Sequence, residues 1–232
     1  MLLFTPKVLF LKKMINFRKY KQATFVLIFS ILPNLENSVV AEHHSNKPNI
    51  VFILADDLGY GDVGCYNSES KIPTPNIDLL AKEGIMFTDA HSPSTVCTPT
   101  RYSFLTGRMA FRNGMKGVFT GAGGPCLIEN DRLTIAKMLQ EQSYITAMFG
   151  KWHVGLTFYD TDGKPILKNG LDAVKRIDYT KAITDGPLHQ GFDYFFGTAS
   201  CPTTDWLYAY IDGDKIPTPP THIVDRTSLP KH

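Results

Sequence analysis

The feature that most constrains the fold is an alternation of short apolar runs with helix-like segments. Residues 47–55 begin polar and continue as an unbroken apolar run, which is typical of a parallel strand buried on both faces. Thr74 and the proline after it indicate a helix start, and the helix pattern continues to Gly84, a natural stop. Residues 85–90 are again strand-like, and residues 133–142 repeat the helix pattern. This alternation predicts a doubly wound α/β sheet.

Composition adds two limits. The 232 residues are 43% hydrophobic and 20% charged, which describes a globular chain able to bury a core. The net charge of +2 gives no case for a nucleic-acid partner.

Two adjacent carboxylates, Asp56 and Asp57, follow the first predicted strand. Ligands bind at the carboxyl ends of strands in open α/β sheets. Neighbouring carboxylates repel one another, and Ca²⁺ or Mg²⁺ relieves that repulsion through hard oxygen ligands. The alternative is a solvated acidic turn with Gly59 and Gly61 as turn residues.

The segment Cys-Thr-Pro-Thr-Arg begins at Cys97 and continues into a Leu-Thr-Gly-Arg tail. Pro99 suits the first turn of a helix, which places Cys97 at or just before the helix N-terminus, where negative charge is favoured. Arg101 falls one turn later on the same side, so its guanidinium is predicted to hold an oxygen borne by residue 97. The alternative is a buried free cysteine with Arg101 as a surface charge.

A third block, Gly-Lys-Trp-His-Val-Gly, follows a strand-like run that starts at Tyr144. If the chain stays extended, alternation places Lys151 and His153 on one face and turns Trp152 away to pack. A lone lysine or histidine in a loop is more often simply solvated.

These three blocks, in this order, resemble the formylglycine-dependent sulfatases, arylsulfatase-like members of the alkaline phosphatase superfamily. The resemblance covers about residues 47–210. It implies an α/β fold, an alkaline-phosphatase-like sandwich with a central, mostly parallel sheet flanked by helices.

The resemblance also implies the chemistry. A formylglycine-generating enzyme would oxidise Cys97 to an aldehyde, whose hydrate attacks the sulfur of a sulfate monoester on a carbohydrate or aryl group. Arg101 and Lys151 would fix the nucleophile and the sulfate, and His153 would orient or deprotonate a hydroxyl of the hydrate. The implied ligands of the divalent cation, Ca²⁺ or alternatively Mg²⁺, are Asp56, Asp57 and Cys97.

The chain departs from the family in one respect. Sulfatases complete the metal site with a later Asp-Asn or Asp-His pair, and this sequence contains neither dipeptide. The family's later lysine and second histidine also lack counterparts. We therefore expect residues 47–232 to be the N-terminal part of a catalytic domain, apparently truncated. The alternatives are a phosphonate or phosphodiester hydrolase of the same superfamily, and an inactive truncated homologue.

The first 41 residues are typical of a secretory signal. Basic residues precede the apolar run 23–32, and small residues end at Ala41, where we predict cleavage; Met14 is an alternative start. The run is too short to span a bilayer, so we expect export to the periplasm or the exterior without a stable membrane anchor, a short anchor being the alternative. If Cys97 is modified, three cysteines remain, and no disulfide is assigned.

Two further segments carry weaker predictions. The Gly-rich residues 113–126 are predicted to form a long loop at the lip of a substrate pocket. Trp206, Tyr208 and Tyr210 alternate as on one strand face, which favours cross-strand packing over stacking on a sugar ring.

Overall fold

A computed structural model describes residues 47–119, 123–201 and 205–223. The chain divides into two compact units, Met1–Ala90 and His91–His232. The predicted signal region, residues 1–41, lies outside the described residues. Among the described helices, none combines the length and apolar character needed to cross a membrane.

The first unit contains the predicted helix. Helix α1 spans Pro75–Glu83 with Thr74 as N-cap, and Gly84 closes it by donating its N–H to the carbonyl of Leu80 at 2.9 Å. The Asp78 carboxylate accepts hydrogen bonds from the Cys65 N–H at 2.8 Å and the Thr74 hydroxyl at 2.9 Å. These bonds hold the start of α1 against the preceding loop.

The two strands predicted for the first unit are wrong. Residues 47–55 and 85–90 have no strand pairing and are largely exposed, Ile53 to 80%. A run of apolar residues becomes a strand only where a neighbouring strand takes up its backbone N–H and C=O groups. Within residues 47–90 the chain forms no strand that could do so.

The second unit is built on a small mixed sheet in the order β1–β2–β3. Strand β1 (Ala147–Lys151) pairs in parallel with β2 (Tyr194–Thr198), which pairs antiparallel with β3 (Tyr210–Asp212). Gly197 permits the close approach of β1 and β2, because a Cβ atom there would overlap the Gly150 carbonyl. The α-helices in the described part of this unit are α2 (Cys97–Thr106), α3 (Ile135–Glu141) and α4 (Leu171–Lys175).

Helix α3 confirms the helix predicted over residues 133–142. Thr134 is its N-cap: the hydroxyl accepts the Lys137 N–H at 3.1 Å and donates to the Gln190 carbonyl at 2.6 Å. The second bond ties the start of α3 to the short 3₁₀ turn Pro187–Gln190 that precedes β2.

The two faces of the sheet differ. The inward face joins a core in which Tyr102, Trp152 and Phe195 are fully buried. The predicted alternation before β3 is confirmed, because the residues between the aromatic ones are buried while Tyr208 and Tyr210 are more than half exposed. Only Tyr210 of the three aromatic residues lies within the strand, where its ring stacks on Phe196 at 5.6 Å.

Candidate active site

Cys97 is the first residue of helix α2, as predicted. The residue before it, Val96, is the N-cap in an extended conformation, and Pro99 lies in the first turn. Cys97 is half-buried. Its side chain therefore lies beside the positive end of a helix dipole, where an anion is stabilised.

Lys151 contacts Cys97 although the two are 54 residues apart. Lys151 ends strand β1, and its Nζ lies 3.2 Å from the Sγ of Cys97. Sulfur is a weak acceptor, and an oxygen in its place would accept more strongly from an ammonium donor. Lys151, which the resemblance implies would fix the nucleophile, thus contacts residue 97 within the second unit. The contact predicted between the Arg101 guanidinium and residue 97 stays a prediction.

Arg101 is buried to 9% exposure, so the alternative of a surface charge is wrong. Its guanidinium donates to the backbone carbonyl of Lys151. This bond connects helix α2 to the end of β1. The Arg101 guanidinium also places a second positive charge near Lys151.

Thr98 is a residue that the sequence analysis missed. It is fully buried, its hydroxyl donates to the His153 carbonyl at 2.9 Å, and the same oxygen accepts the Phe119 N–H at 3.0 Å. One side chain thus joins the start of α2, the segment after β1 and the Gly-rich loop. It occupies a variable position of the cysteine motif, which carries no signal of its own.

The segment after Lys151 is not extended, so the condition for placing Lys151 and His153 on one face is not met. His153 has a left-handed backbone with φ of 60°. Trp152 packs in the core as predicted, with its Nε1 donating to the Gly155 carbonyl at 2.6 Å. A non-glycine residue with positive φ is strained, and such strain is concentrated at functional sites.

The His153 ring is fully buried between two acceptors. Its Nε2 lies 2.7 Å from the Phe119 carbonyl oxygen and 3.4 Å from Oδ2 of Asp205. Burial lowers the pKa of His153 below its usual value; the Phe119 carbonyl and Asp205 oppose this shift, while the charges of Lys151 and Arg101 add to it. The ring is therefore neutral at neutral pH.

The Gly-rich loop reaches these residues through Phe119, whose N–H and carbonyl contact Thr98 and His153 respectively. Residues 120–122 lie outside the described residues. The prediction of a substrate-pocket lip remains a prediction, and the observed contacts are with the backbone of the loop.

Asp56 and Asp57 belong to the first unit and are exposed. Asp57 has φ of 60°, a conformation that aspartate tolerates better than most residues. Across the described ranges, no group of three or more His, Cys, Asp and Glu side chains is arranged to hold a metal ion. The donor chemistry of the pair fits a hard cation, but two carboxylates supply fewer oxygens than the about six to eight that Ca²⁺ takes.

Comparison with known proteins decides the family. The sulfatase family model matches residues 48–215, which is most of the chain. The chain belongs to the sulfatase family. Human steryl-sulfatase is 39% identical over 160 residues, 67% of this chain and 24% of that protein. Rat arylsulfatase G is 38% identical over 194 residues, 81% of this chain and 35% of that protein.

Solved structures agree with the predicted fold class. A Bacteroides thetaiotaomicron structure, described under metabolism of multiple glycosaminoglycans, has a TM-score of 0.61 at 34% identity, covering 74% of this chain and 32% of that one. The structure of Ps i-CgsB has a TM-score of 0.52 at 27% identity, covering 71% of this chain and 36% of that one. The fold is thus the alkaline-phosphatase-like α/β fold of sulfatases, of which this chain carries the N-terminal portion.

The chain spans about a quarter to a third of the length of the curated relatives named above. Most of the length of each of these relatives lies outside its alignment with this chain.

Proposed function

We propose that this chain carries part of the active site of a sulfuric ester hydrolase, with Cys97 as the residue that becomes the formylglycine nucleophile. The observation that supports this most strongly is the 3.2 Å approach of Lys151 Nζ to Cys97 Sγ at the first residue of a helix, in a member of the sulfatase family. Residues 47–232 would form the N-terminal part of the catalytic domain.

The residues around Cys97 would bind and orient an anionic ester. The N-terminus of α2 and the Lys151 ammonium both favour negative charge at residue 97. Arg101 would hold Lys151 in place by donating to the Lys151 backbone carbonyl, and it would contribute positive charge to the site. His153, neutral through burial, would accept or orient a proton.

Two groups that the family implies would supply the remaining chemistry. The hydrated aldehyde derived from Cys97 would provide one hydroxyl to displace the alcohol from sulfur, and a second whose deprotonation expels sulfate and restores the aldehyde. A divalent cation, Ca²⁺ or Mg²⁺, would be held by Asp56 and Asp57 and would supply Lewis-acid chemistry. The ligand role that the resemblance gives to Cys97 stays a prediction.

The substrate class we propose is a sulfated saccharide or an aryl sulfate. Relatives include an N-acetylgalactosamine-6-O-sulfatase of Bacteroides thetaiotaomicron, 39% identical over 66% of this chain and 27% of that protein. Ps i-CgsB has been solved in complex with a k-i-k-neocarrahexaose. We further propose export of the protein through a signal in residues 1–41, and maturation by a formylglycine-generating enzyme in the native host.

The test is a peptide mass across Cys97 in protein from the native host, followed by turnover of paired sulfate and phosphodiester substrates. We expect an aldehyde or its hydrate at residue 97 and preference for the sulfate ester. Cys97→Ala should lower turnover by at least about a thousandfold, because the nucleophile is removed. Cys65→Ala, in the first unit, is the matched control and should retain activity.

An unmodified thiol at residue 97 in protein that turns over sulfate esters would refute the formylglycine mechanism. Preference for the phosphodiester would instead support the alternative hydrolase of the same superfamily.

A further inference from the structure

The His153 ring is held by two groups that can only accept a hydrogen bond. Its Nε2 lies 2.7 Å from the Phe119 carbonyl oxygen and 3.4 Å from a carboxylate oxygen of Asp205. A carbonyl and a carboxylate have no proton to give, so the neutral ring must carry its proton on Nε2. Nδ1 is then the nitrogen with the lone pair.

The other ring nitrogen is unusual for a buried polar atom. Nδ1 of His153 is buried and has no hydrogen-bond partner among the residues that the structure describes. A buried acceptor without a partner is destabilising, because its desolvation is not compensated by a hydrogen bond. Such an atom is explained if it meets a group that arrives with the substrate or with the modified nucleophile.

Asp205 is itself firmly positioned. Its side chain is 2% exposed, and its Oδ2 accepts the Cys201 N–H at 2.7 Å. The Asp205 N–H in turn donates to the Cys201 carbonyl at 3.0 Å. A carboxylate that accepts the Cys201 N–H, on a residue whose backbone also bonds to Cys201, can orient a histidine in the way that an acidic third residue orients the base of a catalytic triad.

We propose that Asp205 is a positioning residue that, with the Phe119 carbonyl, holds His153 in the Nε2–H tautomer, so that Nδ1 is the nitrogen acting on the reacting hydroxyl. The proposal rests on the proposed function for the role of Nδ1. The tautomer itself follows from the geometry of the second unit.

The charged groups around His153 make a pH test possible. Lys151 and Arg101 act on the ring as positive charges, and Asp205 acts as the opposing negative charge. Asp205→Asn keeps the shape and the acceptor for the Cys201 N–H but removes the charge, so the pKa of His153 should fall further. The acid limb of the activity profile should therefore move to lower pH.

The first experiment is nitrogen NMR of the 232-residue chain, with the His153 signal among the seven histidines assigned by its loss in His153→Gln. We expect a protonated Nε2 and an unprotonated Nδ1 at neutral pH, with the titration moving to lower pH in Asp205→Asn. A proton on Nδ1 in the unmutated chain overturns the proposal, whether or not the Asp205 variant folds.

The second experiment measures kcat and KM against pH in the matured enzyme. Asp205→Asn should lower kcat about ten- to a hundredfold, with KM little changed, since part of a general-base contribution is lost. A kcat profile that keeps its acid limb while thermal stability falls would assign Asp205 a structural role only and overturn the proposal.

Asp214→Asn is the matched control. Lys151 pairs with Thr198 and Thr198 with Tyr210, so Asp214 follows the opposite end of β3. This variant removes one negative charge, as Asp205→Asn does, and should leave the acid limb of the activity profile unchanged. If the unmutated protein shows no turnover of any sulfate ester, the proposed function fails, whereas the NMR result still decides the tautomer.

Discussion

Similar short apolar runs form a strand in the second unit of this chain and form none in residues 47–90 of the first. In residues 47–90 the strand-like runs are exposed, with Ile53 at 80% and Ile85 at 65%. In residues 91–223 an equally short run pairs as β1, although Ile145 and Phe149 are 93% and 69% exposed, and it leads directly into Trp152, which is fully buried. The difference between the two runs is therefore pairing with a neighbouring strand, which an apolar pattern by itself does not secure.

The motifs of the two units differ in the same way. Lys151 contacts both Cys97 and Arg101 through bonds that span 54 and 50 residues of sequence. Asp56 and Asp57 are neighbours in sequence and are exposed on the first unit. Tertiary contacts thus bring the cationic residues of the second unit together with Cys97, while the two carboxylates of the first unit are adjacent through local sequence.

The largest effect on stability is expected from the core of the second unit. Trp152→Ala should lower the free energy of unfolding by about 3–5 kcal/mol, because it empties a fully buried position. Ile53→Ala, at 80% exposure, should change it by less than about 0.5 kcal/mol. Denaturant unfolding of both variants measures the contrast.

Equal losses in the two variants would mean that residues 48–55 are buried in solution, and the contrast between the units would break down. The variants are matched in kind, because each truncates one apolar side chain to alanine.

Metal binding would sharpen the comparison at the first unit. We expect Ca²⁺ at a hundred times its dissociation constant to stabilise the protein by about 2.7 kcal/mol, since it binds only the folded state. Asp57→Asn should remove most of this shift, and asparagine tolerates the φ of 60° at that position. Melting curves with Ca²⁺ and with a chelator test it, and Asp89→Asn, another acidic residue of the first unit, is the control. An undiminished Ca²⁺ shift in Asp57→Asn would rule out this ligand.

The smallest effect is expected from the protonation of Glu129 at low pH. Burial raises the pKa of Glu129, but hydrogen bonds from its own backbone N–H, from Tyr102 and from Asn113, together with the charge of Arg132, outweigh burial and hold this pKa below its usual value. Its contribution to stability is therefore present above the pKa of the unfolded chain and is lost as the pH falls through the lower, folded value. The loss should stay below about 1 kcal/mol, because solvent screens a partly exposed carboxylate.

The matched variant for this test is Glu129→Gln, which keeps the shape of the side chain. Its thermal stability should depend less on pH than that of the parent between neutral pH and about pH 4. A parallel pH dependence in the two proteins would remove Glu129 from the account.

How far the sequence predicts the molecule can be judged from single elements. Helices α1 and α3 were predictable because the Thr74 start, the Gly84 stop and the 3.6-residue period are local signals. The position of Cys97 at a helix start followed from Pro99 alone. The strands over residues 47–55 and 85–90 were mispredicted, because strand formation needs hydrogen-bond partners that no local pattern reveals.

The sulfatase family, the order of the three motifs and the identity of Cys97, Lys151 and His153 as candidates were determined by the sequence alone, because those residue types are written at fixed local spacings. Only the tertiary structure decided that Arg101 fastens Lys151, that Thr98 joins three segments, and that Asp205 and the Phe119 carbonyl enclose the His153 ring. Each of these contacts joins segments more than ten residues apart, and its existence depends on how the core packs rather than on any pattern along the chain.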